Sequence, residues 1–198
     1  MPRTTPLTDK LVTIFGGSGF IGRHVAEDLL QQNARVRIAA RNPEEAFSLK
    51  PLAKLGQLQF ARCNILDEAS VRACVEGSHA VVNLVGSFEG DLMKLMGDAA
   101  GSMAKAAKDA GARSFVQVSA IGADANGPST YAQAKALGEE LDRLGQDMQS
   151  RAESLKGDDA SASAEFGVVS QQFSMLMNAT NNAIKTIGEA MSNTARKQ

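Results

Sequence analysis

The 198-residue sequence predicts an α/β domain built on a doubly wound parallel sheet of about five strands, followed by an α-helical hairpin. Three observations indicate this fold class. Short runs of β-branched residues alternate with longer helical patterns, which is typical of βαβ units. A glycine-rich segment separates the first strand run from the first helical pattern. After Tyr131 no further strand-like run follows, and only amphipathic helical spacing remains.

The first predicted strand is LVTIF, from Leu11 to Phe15, and glycines close it. The next segment, residues 20–33, is a predicted helix because Ile21, Val25 and Leu29 recur at four-residue spacing and can pack on a sheet. Further strands are expected at 35–40, 57–63, 80–85 and 114–119, and further helices at 43–55, 68–76 and 91–110. Three glycines fall just after these helices, where a left-handed cap is easiest for glycine: Gly56, Gly77 and Gly111.

The composition excludes several classes of protein. Hydrophobic residues make up 43% and charged residues 22%, as in globular domains. The net charge of −1 supplies no basic field for nucleic acid. Cys63 and Cys74 show neither metal-ligand spacing nor a disulfide framework, so we expect two reduced thiols and no metal site. No apolar run reaches the ~18 residues of a membrane span, and the first ten residues lack the apolar core of a leader, which favours a soluble cytoplasmic protein.

The character of the sequence changes near residue 140, which separates a predicted domain at 1–140 from a tail at 141–198. Apolar residues at helical spacing continue from Leu137 to Leu155, a small polar linker follows at 157–164, and a second apolar stripe runs from Phe166 to Met191. These stripes predict a helical hairpin. An amphipathic helix must bury its apolar stripe, so we expect the tail to form a homo-oligomer or to join a protein complex.

The segment FGGSGFIG places Gly16, Gly19 and Gly22 directly after a strand and directly before a helix. The first glycine permits the turn, the second lets the backbone approach a pyrophosphate, and the third lets helix and strand pack closely. The helix N-terminus adds unpaired N–H groups and the positive end of the helix dipole. The sequence therefore predicts a Rossmann-type dinucleotide-binding domain, with Ser18 in the same loop among its cofactor-binding residues.

The ends of the later strands supply the remaining candidate cofactor contacts. An NAD-selective site usually carries an acidic residue after the second strand, whereas this sequence has Arg41, which can meet a 2′-phosphate. This favours NADP(H) over NAD(H), the alternative being a solvated arginine. Asn64, after the third strand, can hydrogen-bond adenine, and Val85 and Gly86 end the fourth strand where the backbone must pass close to the cofactor.

The segment YAQAK places Tyr131 and Lys135 one turn apart on the same helix face. A lysine ammonium there can lower the pKa of the phenol and hold the nicotinamide ribose. The tyrosine is then a usable general acid for hydride transfer to a carbonyl. The sequence therefore offers candidate catalytic residues beside the predicted cofactor site.

Five segments of the domain form a characteristic set: GGSGFIG, AARNP, NLVG, VSAIGAD and STYAQAKALGEE. With them, residues 10–140 resemble the short-chain dehydrogenase/reductase superfamily, in particular the atypical, extended branch that includes the NAD(P)-binding accessory subunit of respiratory complex I. The resemblance implies that Tyr131 has the catalytic position and that Ser119 lies at, or one residue before, the position of the catalytic serine. It also implies cofactor contacts at Gly16, Gly19, Phe20, Ile21, Arg41, Asn64, Val85 and Lys135.

Members of that branch continue into two more strands and a substrate-binding lobe, and here the helical tail follows instead. We therefore expect an NAD(P)-binding protein with weak or absent turnover. One alternative is an active NADPH-dependent oxidoreductase that uses Tyr131 and Lys135. The tail itself resembles the inner-rod and needle subunits of type III secretion, in the stretch FGVVSQQFSMLMNATNNAIKTIGEAM and a terminal ARKQ. That resemblance implies a second alternative, a structural subunit that assembles through its C-terminal helices.

Overall fold

The computed structural model describes residues 6–139, and its centre is a five-stranded parallel sheet. The strands are β1 (Leu11–Phe15), β2 (Arg35–Ala40), β3 (Leu58–Arg62), β4 (Ala80–Asn83) and β5 (Ser114–Gln117). Their order across the sheet is β3-β2-β1-β4-β5, so the chain winds outward first on one side of β1 and then on the other. This is the predicted doubly wound fold, and its switch point lies between β1 and β4.

The helices of the described part are α1 (Phe20–Gln31), a 3₁₀ helix (Pro43–Leu52), α2 (Glu68–Val75), a π-helical segment (Met93–Asp98) that runs into α3 (Ala99–Asp109), and α4 (Thr130–Glu139). They cover both faces of the sheet. On one face, Val12 and Ile14 of β1 pack with Val25 and Leu29 of α1. On the other face, Phe15 of β1 shares a core with side chains of α2 and α3. The alternation of side chains along β1 therefore supplies both cores.

β4 and β5 each end two residues earlier than the sequence predicts, and a side-chain hydrogen bond joins their ends. The predicted strand at 80–85 stops at Asn83, and the predicted strand at 114–119 stops at Gln117. The Asn83 side chain accepts a hydrogen bond from the N–H of Val85 (3.0 Å) and donates one to Oε1 of Gln117 (2.7 Å). The Asn83 amide thereby links the end of β4 to the end of β5.

The predicted helix at 43–55 is a 3₁₀ helix that ends at Leu52. Pro51 lies in its last turn and has no N–H to donate to an α-helical hydrogen bond. The left-handed conformations at Gly56, Gly77 and Gly111 are confirmed, with φ of 76°, 69° and 76°. The predicted domain boundary and the helical hairpin at 141–198 concern residues outside the described part. Among residues 6–139, no helix is both long and apolar enough to cross a membrane.

Candidate functional site

A cavity of about 610 Å³ lies where four of the strands end. It is lined by residues that follow β1, β2, β3 and β4 in turn, among them Gly16, Ser18, Gly19, Arg41, Asn64, Val85 and Gly86. In open α/β sheets, ligands bind outside the carboxyl ends of the strands at the switch point. Seven of the predicted cofactor-binding residues therefore meet in one cleft.

Two glycines of the loop after β1 are required by the fold itself. Gly16 has a φ of 74°, and a Cβ there would lie 3.1 Å from the carbonyl carbon of Leu84. A Cβ on Gly22 would overlap the carbonyl oxygen of Gly16 and lie 2.5 Å from the Cα of Gly17. The turn and the close packing of α1 on the loop thus exclude side chains at both positions, as the glycine spacing predicts.

Gly19 is constrained differently. It is the N-cap of α1, with φ −72° and ψ 176°, a conformation that any residue adopts. The nearest atom to a Cβ there would be the carbonyl oxygen of Gly16, at 3.2 Å. Gly19 also lines the cleft. A side chain at this position would therefore occupy ligand space and leave the core unchanged.

The N-terminus of α1 has no side-chain cap, and its first turn carries no acidic residue. The contrast with α2 is direct, because the Asp67 carboxylate accepts a hydrogen bond from the N–H of Ala69 (3.0 Å). Uncapped N–H groups at a helix start, together with the helix dipole, attract an anion. The start of α1 beside the cleft is thus suited to a pyrophosphate.

The rim of the cleft after β2 carries both a positive and a negative side chain. Arg41 is exposed and makes no ion pair with any of the residues 6–139. Glu45 lines the same rim, and its carboxylate accepts a hydrogen bond from the Asn42 amide (3.2 Å). Glu45 was not predicted from the sequence to line the cleft. Its position could have been inferred from the sequence, because acidic residues favour the first turn of a helix and this helix begins at Pro43, directly after the residues that follow β2.

The rim after β3 contains Asn64, which is exposed. Its side-chain oxygen accepts a hydrogen bond from the N–H of Leu66 (3.2 Å), and its own N–H donates to Oγ of Ser70 (3.1 Å). These bonds fix the loop and leave the amide NH₂ available to a ligand such as adenine. Cys63, directly before Asn64, also lines the cleft and was not predicted to do so.

Lys135 lies beneath the loop that follows β4. It is 4% exposed, and its Nζ donates hydrogen bonds to the carbonyl oxygens of Val85 and Val118, each at 3.2 Å. Burial lowers the pKa of this ammonium below its usual range. Gly86 lies directly above this ammonium, and a Cβ built on it would be 3.9 Å from Nζ, an ordinary van der Waals contact. One buried cation thus joins the segments that follow β4 and β5.

The other two candidate catalytic residues surround this lysine. The ring centroid of Tyr131 lies 5.9 Å from the Lys135 Nζ. Ser119 follows Val118, and its hydroxyl oxygen is buried with no hydrogen-bond partner in the described part of the chain. Phe88, which the sequence analysis did not single out, stacks on the Tyr131 ring with centroids 4.9 Å apart and an interplanar angle of 18°. Tyr131 therefore lies close to Lys135, and Ser119 follows the Val118 carbonyl that Lys135 binds, although none of the three side chains lines the cleft.

Four predicted cofactor-binding residues do not line the cleft with their side chains. Phe20 is 61% exposed at the start of α1, and Ile21 packs against the core beneath it. Gly22 serves the packing of α1, and the Lys135 ammonium is held below the Val85 carbonyl. Because the first turn of a helix presents its N–H groups to an anion, the first three can contribute backbone donors only.

Comparison with known proteins points to the same ligand class. A family model described as NAD(P)H-binding matches residues 16–165. The mouse (Mus musculus) protein named NADH dehydrogenase [ubiquinone] 1 alpha subcomplex subunit 9, mitochondrial, is 31% identical over 134 residues, which are 65% of this chain and 36% of that protein. The protein of the same name from Dictyostelium discoideum is 31% identical over 146 residues, 70% of this chain and 40% of that one. Cinnamoyl-CoA reductase 1 of Oryza sativa subsp. japonica is 34% identical over 119 residues, 58% and 35% of the two chains.

The chain therefore spans 40% or less of the length of these three relatives. Among solved structures, a short-chain dehydrogenase/reductase from Serratia marcescens superposes with a TM-score of 0.64 at 19% identity, covering 75% of this chain and 72% of the other. Pen from Bacillus thuringiensis superposes with a TM-score of 0.60 at 21% identity, covering 68% and 45%. At such identities these two structures establish a shared fold.

Proposed function

The chain belongs to the NAD(P)H-binding family and shares its fold with a short-chain dehydrogenase/reductase, and from this premise we propose that its cleft holds NADP(H) in preference to NAD(H). The observation that carries the proposal is Arg41 at the end of β2, exposed, on the cleft rim and without an ion pair among the residues described. A guanidinium matches the geometry of a phosphate with two parallel donors. The 2′-phosphate distinguishes the two dinucleotides and would meet this side chain.

The rest of the dinucleotide follows the cleft. Its pyrophosphate would accept hydrogen bonds from the uncapped first turn of α1, over Gly19. The adenine would face the Asn64 amide, and the nicotinamide ribose would lie over Val85 and Gly86, above the buried Lys135. In this arrangement the Glu45 carboxylate on the same rim repels the 2′-phosphate, so it limits how strongly the cleft prefers NADP(H) over NAD(H).

Titration calorimetry with NADPH and NADH tests the preference. We expect NADPH to bind more tightly, and Arg41→Ala to weaken NADPH binding by about 10- to 150-fold, since a hydrogen bond to a charged group contributes ~1.5–3 kcal/mol. NADH affinity should stay unchanged. Glu45→Gln is the matched control, and it should strengthen NADPH binding. Equal affinities of the parent protein for the two dinucleotides, or an Arg41→Ala variant that keeps the preference, would contradict the proposal.

We further propose that the bound dinucleotide turns over slowly. Neither Tyr131 nor Ser119 lines the cleft, and Phe88 covers one face of the tyrosine ring. Positioning of the reacting groups supplies roughly 7–11 kcal/mol of barrier reduction in well-oriented reactions, and a carbonyl bound in the cleft would contact neither of these two side chains. NADPH oxidation with a panel of aldehydes and ketones should therefore be near the uncatalysed rate.

The alternative function is NADPH-dependent carbonyl reduction, and the cluster around Lys135 favours it. Bound NADPH would supply the hydride. Tyr131 would give its phenolic proton to the carbonyl oxygen, and the Lys135 ammonium would stabilise the phenolate that remains. The unpartnered Ser119 hydroxyl would donate a hydrogen bond to the same oxygen. A measurable oxidation rate that disappears in Tyr131→Phe, with NADPH affinity unchanged, would establish this alternative.

A role in a larger assembly is proposed from the tail. Two of the relatives are named as subunits of NADH dehydrogenase, and residues 141–198 carry the amphipathic stripes described above. We propose that these stripes bind a protein partner or a second copy of the chain, and we keep a cytoplasmic location as a prediction. The similarity to secretion subunits falls outside the described residues. The family model that matches residues 16–165 is described as NAD(P)H-binding and gives this similarity no support.

A further inference from the structure

The two cysteines, which the sequence separates by ten residues and no motif connects, meet at the wall of the cleft. Cys63 follows β3 directly and Cys74 lies in the last turn of α2. Both thiols are buried in the same core, and their side chains hydrogen-bond each other. Cys63 also lines the cleft. A thiol pair thus lies behind the surface that the adenine half of a dinucleotide would cover.

The two thiols are not equivalent. The hydrogen bond from Cys74 lowers the pKa of the Cys63 thiol, against the opposing effect of burial, and a hydrogen bond with the Ser70 hydroxyl lowers it further. The same bond, together with burial, raises the pKa of Cys74. Cys63 is also the thiol that lines the cleft, whereas Cys74 does not, so a peroxide that enters the cleft meets Cys63 first and Cys74 resolves the product.

We propose that Cys63 and Cys74 form an oxidative modification site, at which a hydroperoxide converts the two thiols to an intramolecular disulfide, and that this disulfide weakens dinucleotide binding. The second half rests on the dinucleotide site described above. Neither half requires a metal or a second protein.

The chemistry balances with hydrogen peroxide as the oxidant. The Cys63 thiolate attacks one peroxide oxygen, the O–O bond breaks, and the products are a Cys63 sulfenic acid and, after protonation, one water. The Cys74 sulfur then attacks the sulfenic sulfur, the S–S bond forms, the S–O bond breaks, and the Cys74 proton leaves with the hydroxide as a second water. Two thiols are oxidised by two electrons in total, and the peroxide is reduced by two electrons.

The effect on the cleft follows from which end of the pair is anchored. The carbonyl oxygen of Cys74 accepts hydrogen bonds from the Thr13 hydroxyl (3.1 Å) and from Arg37 (2.7 Å), which hold the end of α2 against the sheet. Disulfide sulfurs lie only about 2.05 Å apart, so the thiols must draw closer than hydrogen-bond contact when the bond forms. With that end held, the backbone at Cys63, which lines the cleft, takes up part of the movement.

The Cys63 end is continuous with the cofactor contacts. Asn64 is the next residue, and the N–H of Cys63 donates a hydrogen bond to the carbonyl oxygen of Ala40 (2.9 Å), directly before Arg41. A shift of Cys63 thus displaces two contacts on the adenine side of the cleft at once. By linkage, a bound dinucleotide must in turn oppose oxidation of the pair.

The test uses the full chain, reduced and then treated with hydrogen peroxide. Intact mass after unfolding in iodoacetamide should show the loss of two hydrogen atoms and no alkylation of either cysteine. NADPH affinity should fall by about fivefold or more and return after dithiothreitol. Oxygen adducts without a disulfide would overturn the first half of the proposal, and a disulfide that leaves NADPH affinity unchanged would overturn the second.

Two variants separate the roles of the thiols. With Cys74→Ala, peroxide should leave a dimedone-reactive sulfenic acid at Cys63, whereas with Cys63→Ala the same dose should leave Cys74 unmodified. The opposite assignment of reactivity would refute the asymmetry. If the reduced parent protein bound no dinucleotide at all, the proposed function would fail, and the mass measurement would still decide whether the disulfide forms.

Discussion

Replacing Gly19 with valine should abolish dinucleotide binding while the domain stays folded. The backbone at Gly19 lies at φ −72° and ψ 176°, which valine adopts, and a Cβ would have the Gly16 carbonyl oxygen as its nearest neighbour, at 3.2 Å. Loss of the glycine N-cap costs about 1 kcal/mol, against a typical domain stability of ~5–15 kcal/mol. The isopropyl group would instead fill the space before the first turn of α1. Losing two N–H bonds to a pyrophosphate at ~1.5–3 kcal/mol each weakens binding by about 10²- to 10⁴-fold.

Titration calorimetry with NADPH measures the binding, and circular dichroism with urea unfolding measures the fold. Gly22→Ala is one control, because its Cβ would overlap the Gly16 carbonyl oxygen, and overpacking of this kind costs ~1–3 kcal/mol of stability. Gly56→Ala is the other. The backbone φ of 76° at Gly56 is strained for any residue that has a Cβ, although no atom lies near enough to clash with it. That variant should therefore lose stability and keep its affinity for NADPH. A Gly19→Val protein that binds NADPH like the parent would show that the loop is only a turn.

Three further predictions concern stability and assembly. Ser119→Ala should leave the free energy of unfolding unchanged or raise it by about 1 kcal/mol, because the buried hydroxyl has no partner in the described chain to lose; urea unfolding that showed a loss above that amount would reveal a structural hydrogen bond. Burial lowers the folded-state pKa of Lys135 below 10.5, the ordinary pKa of a lysine. At a pH between the folded-state pKa and 10.5 the unfolded state binds more protons, so the free energy of unfolding rises with pH. Lys135→Met should remove this rise in parallel urea titrations, and an identical slope in the variant would contradict the prediction. Light scattering should place the full chain above monomer mass, and Phe173→Glu, within the second apolar stripe of the tail, should reduce that mass. A monomeric parent protein would contradict this prediction and make the tail an intramolecular cover.

The features that were predictable from the sequence are those written in local spacing. Strand, glycine loop and helix follow one another in FGGSGFIG, so the sheet, the switch point and the cleft could be inferred. Tyr131 and Lys135 are one helical turn apart, and helix geometry alone places them together. Such patterns need no knowledge of which elements become neighbours in the fold.

What was missed depends on long-range packing. Phe88 reaches Tyr131, and Cys63 reaches Cys74, only after the elements that carry them have docked. The early end of β4 arises in the same way, because the Asn83 amide finds its partner on the neighbouring strand. No periodicity in the sequence encodes such pairs, and the oxidative site and the aromatic cover of Tyr131 therefore emerged only from the structure.

The uncapped start of α1 links the lifetime of the protein to its ligand. The first-turn N–H groups of α1 have no side-chain cap, and a bound dinucleotide would supply them with an acceptor. A ligand at 100 times its dissociation constant adds ~2.7 kcal/mol to the stability of the form that binds it. A fall in dinucleotide supply would therefore expose more of the chain to proteolysis, and the abundance of this protein in a cell would follow the size of that pool.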